Sequence, residues 1–193
     1  MVVSSSTKYL GGHSDIVGGS IVIKENKEYA EKISFIQNAV GAVPSPFDCY
    51  LLTRSIKTLS VRMKQHNENA IAVSNYLSNH TKIEKVFFPG NDKRHKEIAE
   101  KQMDGFGGMM SFVIDSDING VKTFLKNLNL FTLAESLGGV ESLIEHPAIM
   151  THASIDPSIR EKLGISETLL RISVGIEDVD DLISDLDQAL SKI

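Results

Sequence analysis

Only one cysteine, Cys49, occurs among the 193 residues, so no disulfide can close within the chain. That scarcity reads as a reducing compartment. Long hydrophobic runs are missing as well. No stretch approaches the ~18 consecutive apolar residues of a membrane helix, and the opening MVVSSSTKYL has neither the basic start nor the apolar core of a secretory signal. Together these absences predict a soluble, cytoplasmic protein with no membrane partner. An excess of positive charge is also lacking, since 20 Lys and Arg stand against 25 Asp and Glu for a net charge of −5. A basic nucleic-acid-binding surface is thereby excluded as the default reading. What remains is ordinary globular composition, with 41 % hydrophobic and 23 % charged residues, enough to bury a core. The length fits one domain or two small ones.

Residues 1–5, MVVSS, read as the end of a short buried strand that leads directly into a glycine-rich loop. A parallel sheet needs strands on both sides and helices on both faces, so a chain that opens inside one reads as truncated or split. A strand follows at 19–24, then a helix at 26–40 whose Tyr29, Ile33 and Ile36 recur at helical spacing. Pro44 and Pro46 precede a long periodic segment, 47–80, marked by Leu51, Leu52, Leu59, Met63, Ala70, Val73 and Leu77. It is long for one straight helix, which predicts a break near 58–62 and a domain boundary there. Beyond it come a strand at 83–88, a polar helix at 92–102, a strand at 109–114, a helix at 118–126 and a short strand near 130–133. A glycine-rich turn leads on to a strand at 169–174 and a last helix at 178–192, with Val179, Leu182, Ile183, Leu186 and Leu190 on one face. Such alternation predicts a layered α/β architecture.

The densest polar cluster is Ser4-Ser5-Ser6-Thr7-Lys8, followed by Gly11-Gly12. Hydroxyls and backbone amides at a strand end, beside glycines that let a ligand approach the main chain, suit a phosphate, and the lysine adds charge or a nucleophilic amine. The order of residues is not that of a P-loop; a polar turn with a solvated lysine is the simpler reading of the spacing. His13-Ser14-Asp15 has the residue types of a hydrolytic triad, but consecutive side chains on one loop cannot form it. His146 and His152 lack the companions of a zinc set, so no metal is assigned. Glu135 and Ser136 stand between a short strand and Gly138-Gly139. Arg171 interrupts the apolar run LLRISVGI and needs an anionic partner, either a carboxylate ligand held in a two-point grip or an internal salt bridge to Glu135 or Glu141.

Five segments in order, SSSTKYLGGHSDIVGG at 4–19, GAVPSPFDCYLLTRSIKTL at 41–59, GFGGMMSF at 105–112, FTLAESLGGVESLIEHPAIMTHA at 131–153 and LLRISVGIED at 169–178, resemble the pyridoxal-phosphate enzymes of cysteine and methionine metabolism, the cystathionine γ-lyase and γ-synthase family. The resemblance runs through essentially the whole chain. It implies a fold-type-I pyridoxal-phosphate-dependent transferase, with residues 1–60 the remainder of the large cofactor domain and 61–193 the smaller C-terminal α/β domain. By the match Lys8 is the lysine that bonds covalently to pyridoxal 5'-phosphate, and Ser5 and Thr7 fall where the family binds its phosphate. Arg171 aligns with the clamp for the α-carboxylate of an amino-acid substrate, with Ser136 beside it. Glu135 fits a carboxylate that attracts the distal ammonium of a long substrate, or a structural partner of Arg171. PSPFD and IEHPAIMTHA read as packing and turn signals.

The implied reaction is γ-elimination of L-cystathionine to cysteine, 2-oxobutanoate and ammonia. Two alternatives accompany it: γ-replacement on an O-acylated homoserine, and a non-catalytic remnant that serves only in assembly. In the family the acid facing the pyridine nitrogen, the ring stacked on the cofactor, the phosphate loop and the neighbouring subunit's contributions precede the lysine, so this chain alone is expected not to turn over. The resemblance further implies a homotetramer.

Overall fold

The computed structural model of the chain describes residues 1–91 and 93–193, with side chains for all of these but 93–95. Two compact units are present, Met1–Ser60 and Val61–Ile193. In the first, β1 (Val2–Ser5) pairs antiparallel with β2 (Gly19–Val22), Val2 opposite Val22 and Ser5 opposite Gly19. The apolar run that predicts a buried strand is exposed here, Val2 to 61 % and Val3 to 66 %. Two strands make a ribbon, and a ribbon cannot cover both of its own faces.

Helix α1 (Lys27–Val40) starts at Asn26, whose side chain accepts the Tyr29 N–H, and ends at Gly41 in the left-handed region, φ 73°. Its apolar stripe is only partly covered: Tyr29 and Ile36 are exposed. Val3, Ile21 and Ile23 with Ala30, Ile33 and Ile36 line an open groove of about 700 Å³. Helix α2 (Pro46–Ile56) is capped by Ser45, whose hydroxyl accepts the Asp48 N–H, and proline stands in its first turn. The long periodic segment is two helices, because it breaks at Lys57 and Thr58 before α3 (Leu59–Ser78) begins.

The second unit is a five-stranded sheet with helices packed on one face. Its strands are β3 (Ile83–Phe87), β4 (Met109–Ile114), β5 (Thr132–Leu133), β6 (Leu143–Glu145) and β7 (Leu169–Ser173), in the spatial order β3-β4-β7-β6-β5. All neighbours are antiparallel except β5 and β6. Helix α4 (Lys93–Gln102) lies between β3 and β4 in the chain; the sequence places its start at Asp92, which lies outside the described residues. Helices α5 (Ile118–Asn127), α6 (Pro157–Lys162) and α7 (Val179–Leu190) complete the unit. Strand β6 and helix α6 are not read from the sequence, since a three-residue strand and a six-residue helix are too short to show a period.

Period-two alternation builds the core. Met110, Phe112 and Ile114 of β4 and Leu170 and Ile172 of β7 turn to the same side as Ala70, Val73 and Leu77 of α3, Val121 and Phe124 of α5, and Leu182, Leu186 and Leu190 of α7. Phe112 and Phe124 meet edge-to-face at 6.2 Å between ring centroids. Helix α7 is fastened at both ends: Asp178 caps its start and Lys82 Nζ donates to the Leu190 carbonyl at 3.1 Å. In its middle the Asp185 carboxylate accepts three backbone N–H groups, from Asn129, Leu130 and Phe131, at 2.8 to 3.2 Å.

Candidate active site

The candidate residues fall into two groups, one in each unit. Lys8, Ser5 and Thr7 sit where β1 passes into the loop that returns as β2. A turn of π-helical type, Ser6–Leu10, opens this loop and is interrupted at Lys8, whose φ of −92° and ψ of −133° are not helical. The loop closes on itself: Ser6 N–H donates to the Gly18 carbonyl at 2.9 Å, and Gly18 N–H donates to Thr7 Oγ1 at 3.0 Å. Thr7 Oγ1 in turn donates to the Gly18 carbonyl at 3.3 Å, so its single proton is committed inside the loop. Ser5 is exposed and its hydroxyl caps nothing. A Cβ on Gly11 would stand 2.7 Å from the Ser6 carbonyl, and one on Gly18 2.8 Å from Ser6 Oγ. Only glycine permits that approach, which lets the loop pack closely on Ser6.

His13 does not form a triad with Ser14 and Asp15. Its Nδ1 donates to the Gly11 carbonyl at 2.8 Å and lies 3.4 Å from Ser55 Oγ, while Ser14 adopts φ 54°. In the second unit, His146 Nε2 donates to the Glu167 carbonyl at 2.8 Å, and His152 meets the hydroxyl of Thr151.

Arg171 is explained by the sheet. Alternation sends Leu170 and Ile172 to the helices and Arg171 to the opposite face, in a row with Ser111 of β4 and Glu145 of β6. Its carboxylate partner is Glu145, which corrects the expectation of Glu135 or Glu141. The reason is register: Glu145 is the cross-strand neighbour of Arg171, and β6, which places it there, is too short to be read in the sequence. Glu145 is 1 % exposed, and its second oxygen accepts the hydroxyl proton of Thr151. Glu135 and Ser136 do meet Arg171, but through the main chain: Arg171 Nη2 donates to the Glu135 carbonyl at 2.9 Å and to the Ser136 carbonyl at 3.3 Å. The Glu135 carboxylate is exposed and forms no ion pair with Arg171.

The loop that carries Glu135 and Ser136 is pinned from behind. Ser173 Oγ accepts the Gly138 N–H at 2.8 Å, with Gly138 at φ 79°. Glu177 accepts both the backbone N–H of Ser142, at 2.6 Å, and its hydroxyl, at 2.9 Å, while Gly175 N–H donates to Ser142 Oγ at 2.8 Å. From α3, Asn69 Nδ2 donates to the Gly175 and Glu177 carbonyls, and His66 Nδ1 to that of Val174 at 2.7 Å. Burial holds the His66 imidazole below its ordinary pKa, against the opposing pull of the Val174 carbonyl. Ser173, Ser142 and Glu177 escape sequence reasoning because each acts on a backbone group far away in the chain.

A family model described as Cys/Met metabolism PLP-dependent enzyme matches residues 1–191. The cystathionine gamma-lyase of Dictyostelium discoideum is 53 % identical over 194 residues, covering 100 % of this chain and 50 % of the relative. The cystathionine beta-lyase of Coxiella burnetii is 52 % identical over 192 residues, 98 % of this chain and 49 % of its own length. The crystal structure of cystathionine gamma synthase from Xanthomonas oryzae pv. oryzae in complex with aminoacrylate and cysteine superposes with a TM-score of 0.92 at 45 % identity, over 99 % of this chain and 49 % of that one. This chain thus spans about half the length of the relatives it matches, and its α/β fold is that of the fold-type-I enzymes. With nearly every residue matched, the chain belongs to the pyridoxal-phosphate-dependent enzymes of cysteine and methionine metabolism.

Proposed function

We propose that this chain is the lysine-bearing half of an enzyme that cleaves L-cystathionine by γ-elimination, releasing cysteine, 2-oxobutanoate and ammonia. The observation that carries this reading, beside family membership, is Arg171: an arginine anchored through Nη2 at the edge of a loop that also presents the exposed carboxylate of Glu135. Residues 1–60 serve in this reading as part of the cofactor-binding large domain and 61–193 as the small domain. The assembled protein is read as a cytoplasmic homotetramer; no helix among the described residues is long and apolar enough to cross a membrane.

Pyridoxal phosphate fits the residues present. Ser5 offers an exposed, uncommitted hydroxyl, whereas Thr7 reaches a phosphate only by releasing the Gly18 carbonyl. When bound, the cofactor supplies an electron sink for charge that develops at the substrate's α-carbon. Lys8 Nζ would hold it covalently, and as a free amine that same Nζ would take the proton from the substrate's Cα and then serve Cβ. Arg171 binds the α-carboxylate, with Ser136 beside it, and so fixes which bond at Cα is aligned for cleavage. Glu135 attracts the distal ammonium of cystathionine.

The same residues serve γ-replacement, the chemistry named for the Xanthomonas relative, because both reactions begin with the same proton abstractions. Products separate the readings. With cystathionine, γ-elimination gives 2-oxobutanoate and β-elimination gives pyruvate; with an O-acylhomoserine and cysteine, γ-replacement gives cystathionine. The chain alone is expected to bind the cofactor weakly and to release neither keto acid, and addition of the remaining half is expected to restore a bound-cofactor absorption band and 2-oxobutanoate. A band that persists in Lys8→Ala, or full cleavage by the unaided chain, overturns the proposal. A protein that binds but never turns over belongs to the assembly reading.

A further inference from the structure

We infer that Glu145, held in place by Thr151, is a positioning residue that fixes the orientation of Arg171 toward the substrate's α-carboxylate. The inference rests on the reading of Arg171 as the carboxylate site and adds to it a source of geometric precision.

The guanidinium is secured at one corner only. Glu145, the Glu135 carbonyl and the Ser136 carbonyl all engage Nη2. Among the described residues Nη1 and Nε have no partner, and the side chain is 25 % exposed. A planar ion anchored at one nitrogen and open along the rest of its edge is suited to receive an external carboxylate in a fixed plane. The anchor is itself immobilised. Glu145 is 1 % exposed, stands opposite Arg171 in the β6–β7 register, and accepts the Thr151 hydroxyl on its other oxygen. Since that hydroxyl's proton goes to Glu145, His152 Nδ1 donates to Thr151 Oγ1, at 2.8 Å, and the line runs His152–Thr151–Glu145–Arg171. Burying a carboxylate this deeply costs free energy unless it is paired and hydrogen-bonded. An arginine needed merely to neutralise Glu145 would have no reason to leave its remaining donors unpaired.

Position, rather than charge, is the claim, so the test alters reach. Glu145→Asp keeps the charge and withdraws it by one methylene; Thr151→Val frees Glu145 without touching any charge, and Thr151→Ser restores the hydroxyl. The measurement is binding of L-alanine and of D-alanine, neither of which has a leaving group, to the cofactor-loaded holoenzyme by calorimetry. A fixed carboxylate plane favours one hand at Cα. Glu145→Asp is expected to shrink the D-to-L ratio of dissociation constants about tenfold, the order expected when one charge-assisted hydrogen bond loses its geometry. Thr151→Val is expected to shrink the ratio in the same direction, and Thr151→Ser to return it to the wild-type value. If Glu145→Asp does not fold, Thr151→Val and its rescue carry the test. A ratio unchanged in both Glu145→Asp and Thr151→Val, while Arg171→Lys collapses it, overturns the positioning role and leaves the carboxylate reading intact. A ratio unchanged in Arg171→Lys overturns both.

Discussion

Ser173 Oγ accepts the buried backbone N–H of Gly138 at 2.8 Å, joining β7 to the loop whose carbonyls hold Arg171. Removing that acceptor leaves a buried donor unsatisfied, at a cost of about 1–3 kcal/mol. Ser173→Ala is therefore expected to lower the urea midpoint of the chain accordingly, with Ser173→Thr retaining most of the stability lost in the alanine variant. An alanine variant as stable as the parent shows that solvent replaces the hydroxyl and that the loop is held by Ser142 and Glu177 instead.

Arg171→Lys keeps the charge but loses the planar fork. In the complete enzyme this is expected to reduce kcat/KM for cystathionine by one to two decades, the equivalent of losing roughly 1.5–3 kcal/mol of charge-assisted hydrogen bonding. Steady-state kinetics decide the matter. Unaltered efficiency reduces Arg171 to the structural partner of Glu145.

Glu135→Ala tests substrate length. Its exposed carboxylate is free to meet a distal ammonium, so cystathionine is expected to lose about fivefold to tenfold in efficiency relative to homoserine, which has none. The ratio of the two efficiencies in parent and variant is the readout. Equal losses for both substrates assign Glu135 to the scaffold of the carboxylate clamp.

Asp185 predicts an acid limit to stability. Desolvation pushes its carboxyl up, but the N–H groups of Leu130, Asn129 and Phe131, with Gln188, outweigh it and hold the pKa below the ordinary aspartate range. The stability it contributes is complete above the unfolded value near ~4 and is lost as pH falls through the lower folded-state value. Asp185→Asn is expected to cost roughly 1.5–3 kcal/mol at pH 7 and to narrow its gap from the parent below pH ~4. Denaturant titrations of both proteins across that range measure the gap, and a gap independent of pH removes Asp185 from the account.

The elements long enough to show a period were legible: α1, α5, α7, β4 and β7 lie close to where apolar spacing puts them. The segment from 47 to 80 betrays its break through length alone, and the structure puts it at Lys57 and Thr58. Arg171 was legible as an anomaly but its partner was not, because Glu145 becomes a neighbour only through the register of a three-residue strand. The exposure of Val2 and Val3 was unreadable for a different reason: composition reports what a strand is suited to pack against, whereas accessibility depends on what surrounds it. The loop staples built on Ser142, Ser173 and Glu177 leave no sequence signal, since a hydroxyl or carboxylate that binds distant main chain looks like any other polar residue.

The place of β7 in its sheet bears on how the chain emerges from a ribosome. β7 lies between β4 and β6 yet is the last strand to be synthesised, and α7, which supplies Leu182, Leu186 and Leu190 to the core, follows it. Until residue 173 has left the exit tunnel, β4 and β6 each lack the strand that pairs with both of them. The second unit thus closes only once β7 and α7 have been made, and a nascent chain stalled before β7 presents unpaired strand edges at which aggregation competes with folding.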